Sequence, residues 1–144
     1  MQKTFIICES TSGGTDKKIL DSIIHTHNLL TDSKIHTTED KNSGKVGSID
    51  DVKEFLTRNL FNATIDRYQN ILIIVDADED TKKRFEEILS CFKNQSNNFE
   101  LPKRINDPIP NSSTKMNVGI FLMPNNNEKG GLETLCLQGL KHNN

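Results

Sequence analysis

The run Ile71-Leu72-Ile73-Ile74-Val75 has five branched aliphatic residues in succession and stops at Asp76-Ala77-Asp78-Glu79-Asp80. A strand with one wet face alternates apolar and polar residues. An unbroken run needs apolar surroundings on both faces, as in a parallel sheet covered by helices. The end of the run is equally informative, because four acids in five positions repel one another unless they are solvated, protonated or bound to a cation. Two readings of it stand side by side. One is a divalent-metal site of hard oxygen ligands. The other is a solvated turn whose acids cap the following helix and complement its dipole.

The N-terminal stretch from Lys3 to Cys8 repeats the pattern: Phe5, Ile6 and Ile7 lead to Glu9, then to Ser10-Thr11-Ser12-Gly13-Gly14-Thr15-Asp16. Adjacent parallel strands lie about 4.8 Å apart. If these two strands are such neighbours, Glu9 and Asp76 share one sheet edge within reach of a single ion. Open α/β sheets bind ligands at that edge, at the carboxyl ends of the strands.

The rest of the chain supplies the covering helices. Ile19, Leu20, Ile23 and Ile24 recur at helical spacing between Thr15 and His27. His25 and His27, two apart on that helix, close its C-terminus and are not a ligand pair. Ser33 to Thr38 suits a strand near an edge, and Glu39 to Gly47 a turn. Ser48 with Asp51 three positions later resembles a capping box, opening a helix through about Asn62 whose buried face is Ile49, Val52, Phe55, Leu56 and Leu60. Phe85, Ile88, Leu89 and Phe92 mark a third helix, from about Thr81 to Lys93, with Lys82, Lys83 and Arg84 on its outer face. These three cations are candidates to hold substrate phosphates, against the alternative of a solvated helix face. A long loop with Pro102, Pro108 and Pro110, carrying one short strand or hairpin, leads to the continuous run from Met116 to Met123. The closing helix carries Leu132, Leu135, Cys136 and Leu140, with Glu133 in its first turn.

Strand and helix alternate throughout, which predicts a three-layer α/β/α, Rossmann-like architecture around a mainly parallel sheet of four to five strands. At 144 residues the chain is one domain, with a core over residues 3–93 and an extension over 94–144. A net charge of -2 gives no global attraction to nucleic acid or to anionic membrane. Any polyanion must then be held by a local patch or through a metal. Cys8, Cys91 and Cys136 fit neither a disulfide framework nor a zinc spacing, so the expected compartment is the cytoplasm. No apolar stretch approaches membrane length.

An acid ending the first strand (Glu9), a glycine-bearing turn after the second (Gly44 and Gly47, before Ser48-Ile49) and Asp76-Ala77-Asp78 ending the third resemble the Toprim domain. That domain is shared by type IA and type II topoisomerases, bacterial primases, recombination mediators and old-phage-type nucleases. Many Toprim sequences place Gly directly after the glutamate, where this chain has Ser10-Thr11-Ser12. Farther on, Met123-Pro124-Asn125 with Gly130-Gly131-Leu132-Glu133 is similar to the tail of the DUF3226 family, a small Toprim-like group of unknown function.

The resemblance implies a Mg²⁺ or Mn²⁺ site built from Glu9, Asp76 and Asp78, with Asp80 and Asp16 as outer candidates and Glu133 as a further one. Glu9 would do general acid or base work while the aspartates hold the ion against a phosphodiester. Tyr68, the only tyrosine, precedes the central strand, which argues against a topoisomerase nucleophile. Two classes follow. One is a metal-dependent nuclease acting on DNA or RNA. The other is a non-catalytic binding or regulatory protein working beside a partner such as an ATPase, which the lack of a broad basic surface favours.

Overall fold

A computed structural model of the chain describes residues 4–9, 15–27, 33–37, 49–58, 67–95 and 97–142. The elements run β1 (Thr4–Cys8), α1 (Thr15–His27), β2 (Ser33–Thr37), α2 (Ile49–Arg58), β3 (Asn70–Asp76), α3 (Thr81–Ser90), β4 (Phe99–Glu100), β5 (Met116–Met123) and α4 (Leu132–His142). The five strands form one sheet in the order β2-β1-β3-β5-β4, and every neighbouring pair is parallel. The expected α/β architecture is therefore present, with the unbroken run 71–75 at the centre of the sheet. From β1 the chain first moves outward to β2, then returns past β1 to β3 and on to the other side. The gap between the ends of β1 and β3 is thus the place where the strand order reverses, the usual ligand crevice of such sheets.

The pleat sorts the strand residues onto two faces. Phe5, Ile7, Ile71, Ile73, Val75, Val118 and Leu122 pack with Val52 and Leu56 of α2 and with Phe85 and Ile88 of α3. Ile6, Ile74 and Met123 face the other way, where Ile19 and Leu20 of α1 pack against them. Both faces of β3 are therefore apolar, which is why its sequence does not alternate.

Element ends depart from the expected pattern. Helix α3 stops at Ser90, because the Cys91 N–H turns to the Ile88 and Leu89 carbonyls; a single 3-10 turn, Lys93–Gln95, follows. Phe92 stays buried beyond the helix end and meets Phe99 edge to face at 5.2 Å. The helix opening expected at Ser48, the stretch from Asn59 to Asn62 and the glycine turn at Gly44 and Gly47 lie outside the described residues. Cys136 and Leu140, expected among the apolar residues of the last helix, are exposed, as is Leu137.

The proline-bearing segment between β4 and β5 is tied to the sheet. Asp107 accepts from the Lys103 and Arg104 N–H groups, and the buried Asn117 side chain accepts from Ser112 N and donates to Ser112 O. Ile109 lies over Gly119, where a Cβ would come within 2.6 Å of its Cγ1. Among the described residues, no helix is long and apolar enough to cross a membrane.

Candidate functional site

Parallel pairing sets Cys8 opposite Ile74, so β1 and β3 end side by side and carry Glu9 and Asp76 to the same rim. The Asp76 N–H donates to Glu9 Oε2 at 3.3 Å. Burial pushes the Glu9 carboxyl up from 4.5 to about 7. The Asp76 N–H opposes that rise, the Asp76 and Asp78 charges add to it, and the Arg84 guanidinium offsets part of it. A carboxyl poised near neutrality in a crevice is suited to giving and taking a proton.

Asp76 is accommodated by a missing side chain. Gly131 immediately precedes α4, and a Cβ there would stand 2.7 Å from Asp76 Oδ1. Glycine thus lets the carboxylate approach the backbone at a helix N-terminus, where the dipole favours negative charge. The loop from Pro124 to Gly131 that delivers this glycine leaves β5 through a cis Met123–Pro124 peptide. Asn126, at φ 67°, accepts from Leu122 N through its side chain and donates its N–H to Leu122 O. The Asn125 side-chain Oδ1 accepts from the Asn127 and Glu128 N–H groups.

Asp78 and Asp80, two positions apart, take different roles. Asp78 has φ 54° and exchanges two 2.9 Å backbone bonds with Gly130, so its backbone is fixed from both sides. Its Oδ2 lies 2.5 Å from Arg84 Nη2, while Arg84 Nη1 reaches Glu87 at 3.4 Å. Asp80 caps α3, its Oδ1 accepting from Lys83 N at 3.0 Å. An Asp80→Ala variant should therefore lose about 1 kcal/mol of stability. In a thermal melt that is a fall of roughly 3 °C, and an unchanged melt would remove the capping role.

The remaining candidates divide. Lys82 and Lys83 are exposed on the first turn of α3. Arg84, expected beside them on the outer face, is turned inward by its two acidic partners and is only 13% exposed. Lys82 joins Lys129, Asn127 and Ile105 around an open cleft of about 370 Å³ next to the rim. Asp16 and Glu133 fall in the first turns of α1 and α4, but their side chains lie outside the described residues. Among the described residues, no three His, Cys, Asp or Glu side chains converge as they stand to hold a metal ion. At the rim, Arg84 holds Asp78 and Asp80 caps α3.

Two features of the site escape sequence reasoning. Gly130-Gly131 stands in the sequence only as part of a family-like pattern, although a glycine pair at a helix start is a signal for close backbone approach. The Arg84–Asp78 contact has no recognised spacing, since it joins a helix to the irregular turn before it.

A family model described as a protein of unknown function, DUF3226, matches residues 6–144. The chain belongs to the DUF3226 family. No curated protein and no solved structure matches it. The match includes both strand ends that carry the acids, as well as the Pro124–Gly131 loop that holds two of them. The rim is therefore part of the DUF3226 unit.

Proposed function

We propose that Glu9, Asp76 and Asp78 form a Mg²⁺ or Mn²⁺ site of a Toprim-like domain, and that this DUF3226 protein acts on nucleic-acid phosphodiesters. The observation that carries the reading is the 3.3 Å bond joining Glu9 to Asp76, 67 positions away, where the strand order reverses. The donor chemistry suits the ion, since three carboxylates offer hard oxygen ligands and the Gly131 cradle leaves Asp76 room at the rim, but binding would require them to move together from where they stand. When bound, such an ion would stabilise charge on a phosphate oxygen and on the leaving alkoxide. Glu9, its carboxyl raised by burial to about 7, would serve as the acid or base. Lys82, at the cleft beside the rim, would pair with phosphate oxygens, with Lys83 exposed on the same helix turn as a second candidate.

The test is a thermal melt with and without millimolar Mg²⁺ or Mn²⁺. A ligand selective for the native state stabilises it, by roughly 2.7 kcal/mol at a hundred times its Kd. The melting temperature should therefore rise by several degrees, and the Asp76→Asn, Asp78→Asn double variant should not respond. No rise with either ion would end the cation reading. Incubation of the wild type with Mn²⁺ and single-stranded DNA, duplex DNA or RNA then tests turnover. A second reading, a regulatory partner of an ATPase or another subunit without turnover, is favoured by the Arg84–Asp78 pair, which already balances one rim charge. Ion binding without cleavage of any of the three substrates would select it.

A further inference from the structure

We propose that the outer face of α4 is a self-association surface, on which a second copy of this chain docks antiparallel across a two-fold axis at Leu137. Among the described residues, three large apolar side chains are exposed, and two of them, Leu137 at 60% and Leu140 at 62%, share this helix. The third, Ile109, already packs over Gly119. Cys136 is exposed beside the leucines, so positions 136, 137 and 140 make one stripe over little more than a turn of helix. The opposite flank of α4 is engaged. Gln138 donates to Glu128 Oε2 at 2.8 Å, and Thr134 Oγ1 accepts from Gly131 N. Apolar side chains scattered singly over a surface need no explanation, whereas a stripe of them on one helix face marks a contact.

The face is its own complement, which identifies the occupant. Glu133 stands four positions before Leu137 and Lys141 four positions after it, each about one turn away along the same helix. A two-fold axis at Leu137 reverses the second helix, so position 133 of each copy meets position 141 of the other. Glutamate then faces lysine at both ends of the contact, and the leucines close its middle. A parallel arrangement would set Glu133 against Glu133 and Lys141 against Lys141, and like charges repel. The antiparallel order also brings each helix N-terminus beside a C-terminus, where the dipoles attract. One 11-residue helix per copy is a small contact, so the dimer should form with a Kd on the order of 10–100 µM.

The deciding experiment is sedimentation equilibrium of the full chain from about 10 to about 500 µM, a range that brackets the expected Kd. The wild type should pass from monomer to dimer. Leu137→Glu places two carboxylates on the axis and should weaken association at least about tenfold, with the thermal melt of the monomer unchanged because the side chain is exposed. Glu133→Lys and Lys141→Glu should each weaken it about fivefold, since either change makes both end pairs repulsive. The double variant, Glu133→Lys with Lys141→Glu, restores opposite charges and should recover the wild-type affinity. A dimer that is indifferent to Leu137→Glu, or a double variant weaker than both single ones, would overturn the proposal. So would a chain that stays monomeric at about 500 µM and is instead pulled down by anionic lipid vesicles through Leu137 and Leu140, or by nothing at all.

Discussion

Ile73→Ala should destabilise the protein by roughly 2–5 kcal/mol, the range for truncating a large aliphatic side chain in a closed core. Ile73 is fully buried in the middle of the central strand, and it packs in one cluster with Val52 and Leu56 of α2 and with Phe85 and Ile88 of α3. Parallel neighbours Ile7 and Ile120 flank it in register, so the surrounding sheet cannot collapse into the cavity without breaking its ladder. The loss is a large part of the roughly 5–15 kcal/mol that holds a domain of this kind together. Urea unfolding should show a lower midpoint with an unchanged slope, since the surface exposed on unfolding stays the same. A cost under about 1 kcal/mol would mean that α2 and α3 do not seal this face of the sheet.

The same residue explains why the fold was legible in the sequence. Two unbroken apolar runs, 71–75 and 118–123, read as strands with both faces covered, and helical periodicity appears before the first at Val52, Phe55 and Leu56 and between the two at Phe85, Ile88 and Leu89. A mainly parallel sheet and the layer order follow from those constraints, while the strand number is left at four or five; the structure has five. Helix ends were less legible, because Phe92 continues the apolar period of α3 after the backbone has left the helix. Tertiary packing against Phe99 keeps it buried, and local spacing cannot register that contact. The last helix misled in the opposite sense: Leu140 fits an apolar stripe yet is 62% exposed.

At the rim, legibility ended where the chain leaves regular structure. Glu9 and Asp76 were readable as neighbours because strand ends inherit the register of their strands. Asp78 and Asp80 were not separable by spacing. Their roles diverge because Asp78 takes up a left-handed conformation and pairs its backbone with Gly130, while Asp80 remains extended and caps α3. The Pro124–Gly131 loop, recognisable as a family pattern, acquires a physical meaning only in three dimensions. Asn125 and Asn126 shape it, Gly130 fixes Asp78, and Gly131 makes room for Asp76.

Glu9→Gln should separate the rim from the scaffold. Glu9 is raised from 4.5 to about 7 in the folded protein, so the native state favours its protonated form. The sign follows from linkage. Between these values the native state binds more protons than the unfolded chain, and stability falls as pH rises. The contribution is complete below about 4.5 and is lost as pH passes through about 7. A rise of that size corresponds to at most roughly 3 kcal/mol. Partial exposure to solvent reduces it to roughly 1–2 kcal/mol.

Glutamine cannot ionise, yet its carbonyl can still accept from the Asp76 N–H. Relative to wild type, Glu9→Gln should therefore gain roughly 1–2 kcal/mol between pH 4.5 and pH 8. Ile73→Ala should follow the wild-type pH profile at a lower level, because its cavity lies among apolar side chains away from the rim. Asp76→Asn should move the Glu9 transition to lower pH by removing one of the charges that raise it. If the proposed activity exists, losing the proton-carrying group should lower cleavage about 10²- to 10⁴-fold in the same variant that gains stability at pH 8. That opposition, a more stable protein that does less, is expected of a carboxyl held at a cost to the fold because the chemistry uses it. Parallel pH profiles for wild type and Glu9→Gln would mean that the rim does not perturb Glu9, and the acid-base role would fall with it.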